Sequence, residues 1–239
     1  MIHLFWDIDG TLLSTARAGV FALEDAAREV LGGELNLSTM RTAGLTDAEI
    51  AVEICRSFGK EERAGDFLRA YARLLPDALG RRQGEVLPNV RSNLEALDTR
   101  DDVVNLLLTG NVREGAEAKL RHYGLWDFFA DTGGAFSVEG SDRPSIARAA
   151  RAVVEDAYVP DRAYVIGDTP HDVSCGKVIG ARTVAVATGP SYSLAELEAC
   201  EPWLVLEELP EPGAFASTLG LPDSSTWRSM PATPSEPSR

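Results

Sequence analysis

Short apolar runs along this chain stop abruptly at polar or glycine-rich segments. Residues 2–6 lead into Asp7-Ile8-Asp9-Gly10-Thr11, and residues 103–108 into Thr109-Gly110-Asn111. Residues 164–166 lead into Gly167-Asp168-Thr169-Pro170, and residues 183–187 into Thr188-Gly189-Pro190. Runs this short and this rich in Val, Ile and Leu suit strands buried on both faces, as in a parallel sheet. Helical patterns follow, over residues 114–122 and 145–155. Strand alternating with helix predicts right-handed crossovers and an α/β fold with a doubly wound, Rossmann-like parallel sheet. The carboxyl ends of such strands share one edge, where ligands bind.

Residues 15–85 carry a different pattern. Val20, Leu23, Ala27, Val30 and Leu31, then Ile50, Ile54 and Phe58, then Phe67, Ala70 and Leu74 recur at helical spacing, with no convincing strand. This predicts a smaller all-helical cap over residues 15–85, inserted into a core made of residues 1–14 and 86–210. Pro88 and Asn89 mark the return to the core. Residues 211–239 are dense in Pro, Ser and Thr, which predicts a poorly ordered tail.

Composition narrows the function classes. The 239 residues suit a large core plus a small insert, and 44% hydrophobic with 25% charged residues excludes a mostly disordered chain. A net charge of −14 opposes attraction to nucleic acid or to an anionic membrane, whereas a metal ion can still admit a small anionic substrate. Cys55, Cys175 and Cys200 are odd in number and never spaced C-x-x-C, which argues against a disulfide framework and for a reducing cytosol. No apolar run reaches the ~18 residues of a membrane span, and residues 2–6 read as a strand rather than a leader. A soluble cytoplasmic protein is expected.

Three strand ends carry candidate chemistry. Asp7 and Asp9, two apart on an extended chain, share one side. As a pair they suit a metal or proton site, or simply an exposed Asp-rich turn. Asn111 followed by Glu114 has a capping-box spacing, so a helix start here offers either a plain cap or an anion site with Thr109 as a hydroxyl donor. Thr169 suits an N-cap and Pro170 the first helical position, which brings Asp168 at a strand end and Asp172 in a first turn to one pocket. Hard oxygen ligands of this kind suit Mg²⁺. Arg143, before Pro144, stands in order between the second and third strand ends. His3 is expected to fill the sheet, His122 a helix surface and His171 an exposed first turn.

Taken together, Asp7-Ile8-Asp9-Gly10-Thr11, Thr109, Arg143 and Gly167-Asp168-Thr169-Pro170-His171-Asp172 resemble, in order, the four motifs of the haloacid dehalogenase (HAD) superfamily. The match spans about residues 2–190. Within it the chain looks most like the phosphoglycolate-phosphatase-like branch, on Gly44-Leu45-Thr46-Asp47 and Thr109-Gly110-Asn111. The resemblance implies Asp7 as nucleophile carrying an aspartyl-phosphate and Asp9 as acid, then base. It implies Mg²⁺ held by Asp7, the Asp9 carbonyl and Asp168, with Asp172 as a further or supporting ligand. Thr109, Gly110, Asn111 and Arg143 would receive the phosphoryl group. The third motif usually carries lysine; in a chain with only Lys60, Lys119 and Lys177, Arg143 takes that place and can grip phosphate in two bonds. Asp7, Asp168, Asp172 and a phosphate dianion would bring about five negative charges against one arginine, an assembly that requires a divalent ion.

The expected activity is therefore Mg²⁺-dependent hydrolysis of a small phosphorylated metabolite, with Arg41, Thr46 and Asp47 of the cap near its non-phosphate part. Asp9 argues against dehalogenation, which needs no leaving-group proton. Lys60, in the polar run Lys60-Glu61-Glu62-Arg63, looks too exposed to form a Schiff base as in phosphonoacetaldehyde hydrolases. A phosphosugar mutase of the β-phosphoglucomutase type and a catalytically silent HAD-like binding module remain as alternatives.

Overall fold

The computed structural model describes residues 1–37, 44–138 and 140–221. Its centre is a six-stranded parallel sheet made of β1 (Ile2–Trp6), β4 (Val103–Val112), β5 (Gly134–Ser137), β6 (Ala163–Gly167), β7 (Arg182–Val186) and β8 (Leu204–Leu206), in the order β5-β4-β1-β6-β7-β8. Side chains of β1 alternate between two cores because successive residues of a strand face opposite ways. Ile2, Leu4 and Trp6 pack with α4 (Val90–Asp98) and α5 (Arg113–His122), while Phe5 packs with α6 (Arg143–Val153) and α7 (Pro170–Ile179). This is the doubly wound arrangement that the alternating pattern predicts.

Register places the chemistry. Trp6 lies opposite Leu107 on one side and Ile166 on the other, and the Asp7 amide donates to the Ile166 carbonyl at 3.0 Å. Asp7 thus emerges one rung past the pairing, level with the end of β6 while β4 runs on to Val112, although Asp7 and Asp168 are far apart in sequence.

The edge strands β5 and β8 were not evident from the pattern. β5 is Gly-Ala-Phe-Ser and β8 only three residues long, too short for a periodic signal. A further pair, β2 (Leu13–Ser14) and β3 (Glu85–Val86), forms an antiparallel ribbon where the chain leaves and re-enters the sheet layer. Between them, α1 (Ala18–Ala26), a π-helical turn (Ala27–Leu31), α2 (Asp47–Ser57) and α3 (Ala64–Gly80) pack into a separate hydrophobic cluster around Leu23, Ile54, Phe67 and Leu75.

The expected disorder from residue 211 needs correction. α9 (Pro212–Thr218) follows the short α8 (Leu194–Glu198) and β8, and Phe215 is fully buried with its ring 6.0 Å from that of Trp6. Leu219 and Leu221 are also buried, and the Tyr164 hydroxyl donates to the Leu219 carbonyl at 3.0 Å. Proline at the first helical position starts this helix rather than breaking order, and the three apolar residues outweigh the polar composition around them. Residues 222–239 lie outside the described part. Among the described residues no helix is long and apolar enough to cross a membrane.

Candidate active site

At the carboxyl edge of the sheet, Asp7, Asp168 and Asp172 are all buried, and one carboxylate oxygen from each lies within 4.8 Å of the others. Local rules bring them there. Gly10 turns the chain after β1 with φ +82°, and a Cβ at this position would overlap the Asp168 carboxyl, so glycine alone fits. The Thr188 hydroxyl donates to the Gly10 carbonyl at 2.6 Å and pins that turn to the loop after β7. Thr169 caps α7 with Pro170 in the first turn, as its sequence predicts, and the Asp172 carboxylate closes the capping box on the Thr169 amide at 3.0 Å.

Crowding governs the protonation of Asp7 and Asp168. Burial, then the charges of Asp172 and Asp7, push Asp168 up to about 9, even though Thr11 donates to its Oδ1 at 3.2 Å. Burial and the Asp172 charge raise Asp7 to about 7, with Arg143 pulling the other way. Arg143 Nη1 lies 3.3 Å from Asp172 Oδ1 and 3.7 Å from Asp7 Oδ1. The second distance exceeds a hydrogen bond, and among the described residues the buried Asp7 Oδ1 has no hydrogen-bond partner. An orphaned carboxylate oxygen in a cage of hard oxygen donors, with too few cations, fits a divalent metal ion.

Asp9 faces a different neighbourhood. Lys119 Nζ donates to Asp9 Oδ2 at 2.6 Å and also to Asn111 Oδ1, while Asn111 Nδ2 donates to Asp9 Oδ2 at 2.9 Å and to Thr109 Oγ1 at 2.8 Å. Asn111 is therefore no helix cap: β4 runs on to Val112, which precedes α5 without a side-chain cap. Its side chain is committed to Asp9, Thr109 and Lys119 rather than free for a phosphoryl group. Thr109 is fully buried beside it. The Lys119 ammonium is almost entirely buried. Burial opposes its charge, but Asp9, Tyr71 and Asp47 together hold its pKa above the ordinary lysine value.

The insert sits directly over this edge. Arg143 Nε donates to the Gly44 carbonyl at 3.0 Å, the Val112 amide to Asp47 Oδ2 at 2.8 Å, and the Ala48 amide to Ser137 Oγ at 3.2 Å. Gly110 admits this close approach, since a Cβ there would lie 3.0 Å from the Leu45 carbonyl oxygen. Asp47 is raised to about 6 by burial, which Lys119 only partly offsets. Thr46, expected near substrate, is the N-cap of α2, and its hydroxyl accepts the Glu49 amide at 3.1 Å. Arg41 lies outside the described residues. His171 is half-buried rather than exposed, its ring set against Gly44. Lys60 is likewise half-buried and donates to the Leu31 carbonyl at 2.8 Å.

Lys119 is the residue that reading the strand ends missed. Its signal was present in α5, whose buried stripe is Gly115, Ala116, Lys119 and Leu120. A lysine on the apolar face of a helix, in a chain with only three lysines, needs an acidic partner. Which acid that is depends on the packing.

The model of the haloacid dehalogenase-like hydrolases matches residues 4–186. The "Probable phosphatase IndB" of Dickeya dadantii (strain 3937) is 26% identical over 210 residues, 87% of this chain and 90% of that one. "Tyrosine-protein kinase PtkA" of Mycobacterium tuberculosis (strain H37Rv) is 26% identical over 194 residues, and the match spans 78% of this chain but only 62% of the kinase. The crystal structure of "a predicted phosphatase" from Clostridium acetobutylicum has a TM-score of 0.71 at 17% identity, covering 92% of this chain and 99% of that one. At that identity the likeness is one of fold.

Proposed function

This chain belongs to the haloacid dehalogenase-like hydrolase family, and on that premise we propose that it is a Mg²⁺-dependent phosphatase for small phosphate monoesters, phosphoglycolate-like in size. The observation that carries the reading is Asp7 Oδ1 at the end of β1, buried and, among the described residues, without a hydrogen-bond partner, beside two further acids and an arginine. A buried carboxylate oxygen without a hydrogen bond is costly to the fold and suited to attack.

Asp7, Asp168 and Asp172, with the Asp9 carbonyl, would hold the magnesium ion, which when bound supplies the positive charge that the site's carboxylates and a phosphate dianion lack. Asp7 attacks phosphorus and the ester P–O bond breaks. The departing alkoxide takes the proton of the Asp9 carboxyl. Water then attacks the aspartyl-phosphate and gives its proton to Asp9, the bond to Asp7 breaks, and phosphate leaves. Arg143, already between Asp7 and Asp172, keeps the attacking carboxylate oriented, and Thr109 and the Gly110 backbone face the phosphoryl oxygens. The insert acts as a cap: Gly44, Asp47 and Ala48 are bonded to the core over the site, which excludes water and limits the leaving group to a small one.

The same residues serve a phosphosugar mutase, in which the phosphoryl group returns to a sugar. One experiment separates these outcomes: a panel of phosphate monoesters, including glucose phosphates, assayed for free phosphate with Mg²⁺ and with chelator. The expected result is Mg²⁺-dependent phosphate release from small alkyl esters. Isomerised glucose phosphate without free phosphate identifies a mutase, and no turnover of any ester overturns the enzymatic reading.

A further inference from the structure

We propose that Lys119 is a positioning residue that anchors one oxygen of Asp9, so that the other is presented to the leaving group. This deepens the phosphatase reading and rests on it. Among the described residues both hydrogen bonds to the Asp9 carboxylate, from Lys119 Nζ and Asn111 Nδ2, fall on Oδ2. Oδ1 is left to meet an ester oxygen. The Asp9 side chain is 42% exposed, against 5% for Lys119. A carboxylate this open would sample several rotamers if untethered, and would be free to turn toward the Asp7 side of the site. A buried ammonium held from below fixes one rotamer, and so keeps the proton-transfer acid apart from the metal-side acids.

The anchor also crosses between layers. Lys119 belongs to α5 of the core, yet the groups that hold its charge include Asp47 and Tyr71 of the insert. Asp47 is itself bonded to the Val112 amide one residue before α5. The orientation of Asp9 thereby depends on the insert being seated. Proton transfer to the leaving group is then competent only when the site is covered, which is the condition under which water is excluded.

The test compares Lys119→Met and Lys119→Arg with wild type, in the full chain with Mg²⁺, as kcat/KM for an alkyl phosphate and for p-nitrophenyl phosphate. The aryl ester's leaving group departs without a proton, so only the alkyl ester needs a correctly aimed Asp9 at the step that kcat/KM reports. Lys119→Met is expected to lower the alkyl value ~10²-fold and the aryl value less than about threefold, with partial recovery in Lys119→Arg. Equal losses on both esters, or no loss on the alkyl ester, overturn the positioning role while leaving the phosphatase reading intact. A wild-type protein inactive on every ester overturns both. Should Lys119→Met fail to fold because two acids lose their cation, Lys119→Met with Asp47→Asn removes one of those acids, and the same difference between esters is expected.

Discussion

Two groups of acids flank the end of β1, and they are neutralised in opposite ways. Asp7, Asp168 and Asp172 are buried together and, among the described residues, share a single arginine, and burial with mutual repulsion raises Asp7 to about 7 and Asp168 to about 9. Asp9 and Asp47 share Lys119, and each has a further donor, Asn111 for Asp9 and the Val112 amide for Asp47. The first group is an incomplete electrostatic assembly that a divalent ion completes. The second is largely satisfied within the protein, although Lys119 offsets only part of what burial does to Asp47. The difference teaches that acidity alone does not define a metal site: the deficit of positive charge and donors does.

Substitutions can break this contrast. The largest effect is expected from Asp7→Asn, which removes the nucleophile: kcat should fall by about 10³-fold or more. The unfolding midpoint in chelator should not fall, because a buried like charge has also been removed. A midpoint drop of many degrees would mean that Asp7 is a structural acid.

Arg143→Met comes next. It leaves Asp7 and Asp172 without their cation, at a cost of about 3–5 kcal/mol to the metal-free protein. Arg143→Lys keeps the charge and should lose much less, mainly the Nε bond to the Gly44 carbonyl. Urea unfolding of the two variants measures the difference, and equal losses would show that shape rather than charge matters here.

A change of pH sharpens the comparison without any substitution. The folded pKa values of Asp7, about 7, and Asp168, about 9, stand above the unfolded value of 3.8. The folded protein therefore holds protons that the unfolded chain has released, and metal-free stability should decline as pH rises from about 4 toward about 9. Thermal unfolding in chelator at pH 5 and pH 8 should show the lower midpoint at pH 8, and added Mg²⁺ should raise the midpoint more at pH 8. Equal midpoints without metal, and equal gains with it, would mean that the three acids are not held as a crowded cluster.

Much of this site was legible because its determinants are local. A β strand followed by Asp-x-Asp-Gly, and Gly-Asp-Thr-Pro with an acid in the first helical turn, carry their own geometry: Gly10 must turn, Thr169 must cap, and Asp172 must follow. Asn111 shows where local reasoning fails. Its spacing to Glu114 fits a capping box, but a longer β4 carries the residue past the point where a cap would form, and Asp9 and Lys119 take its side chain. The tail shows the same limit, since a proline-rich composition says nothing of the Phe215 that fills the space beside Trp6.

By itself the amino-acid sequence determined the sheet-and-helix alternation, the helical insert after the first strand and the identity of the motif acids, because each follows from periodicity and turn chemistry within a few residues. Only the tertiary structure decided which cation serves which acid. Arg143 went to Asp7 and Asp172, Lys119 to Asp9, and the Gly44 carbonyl of the insert to the Arg143 side chain. Charges act through space, and the distances that set their energies exist only once strand register and helix packing have brought remote residues together.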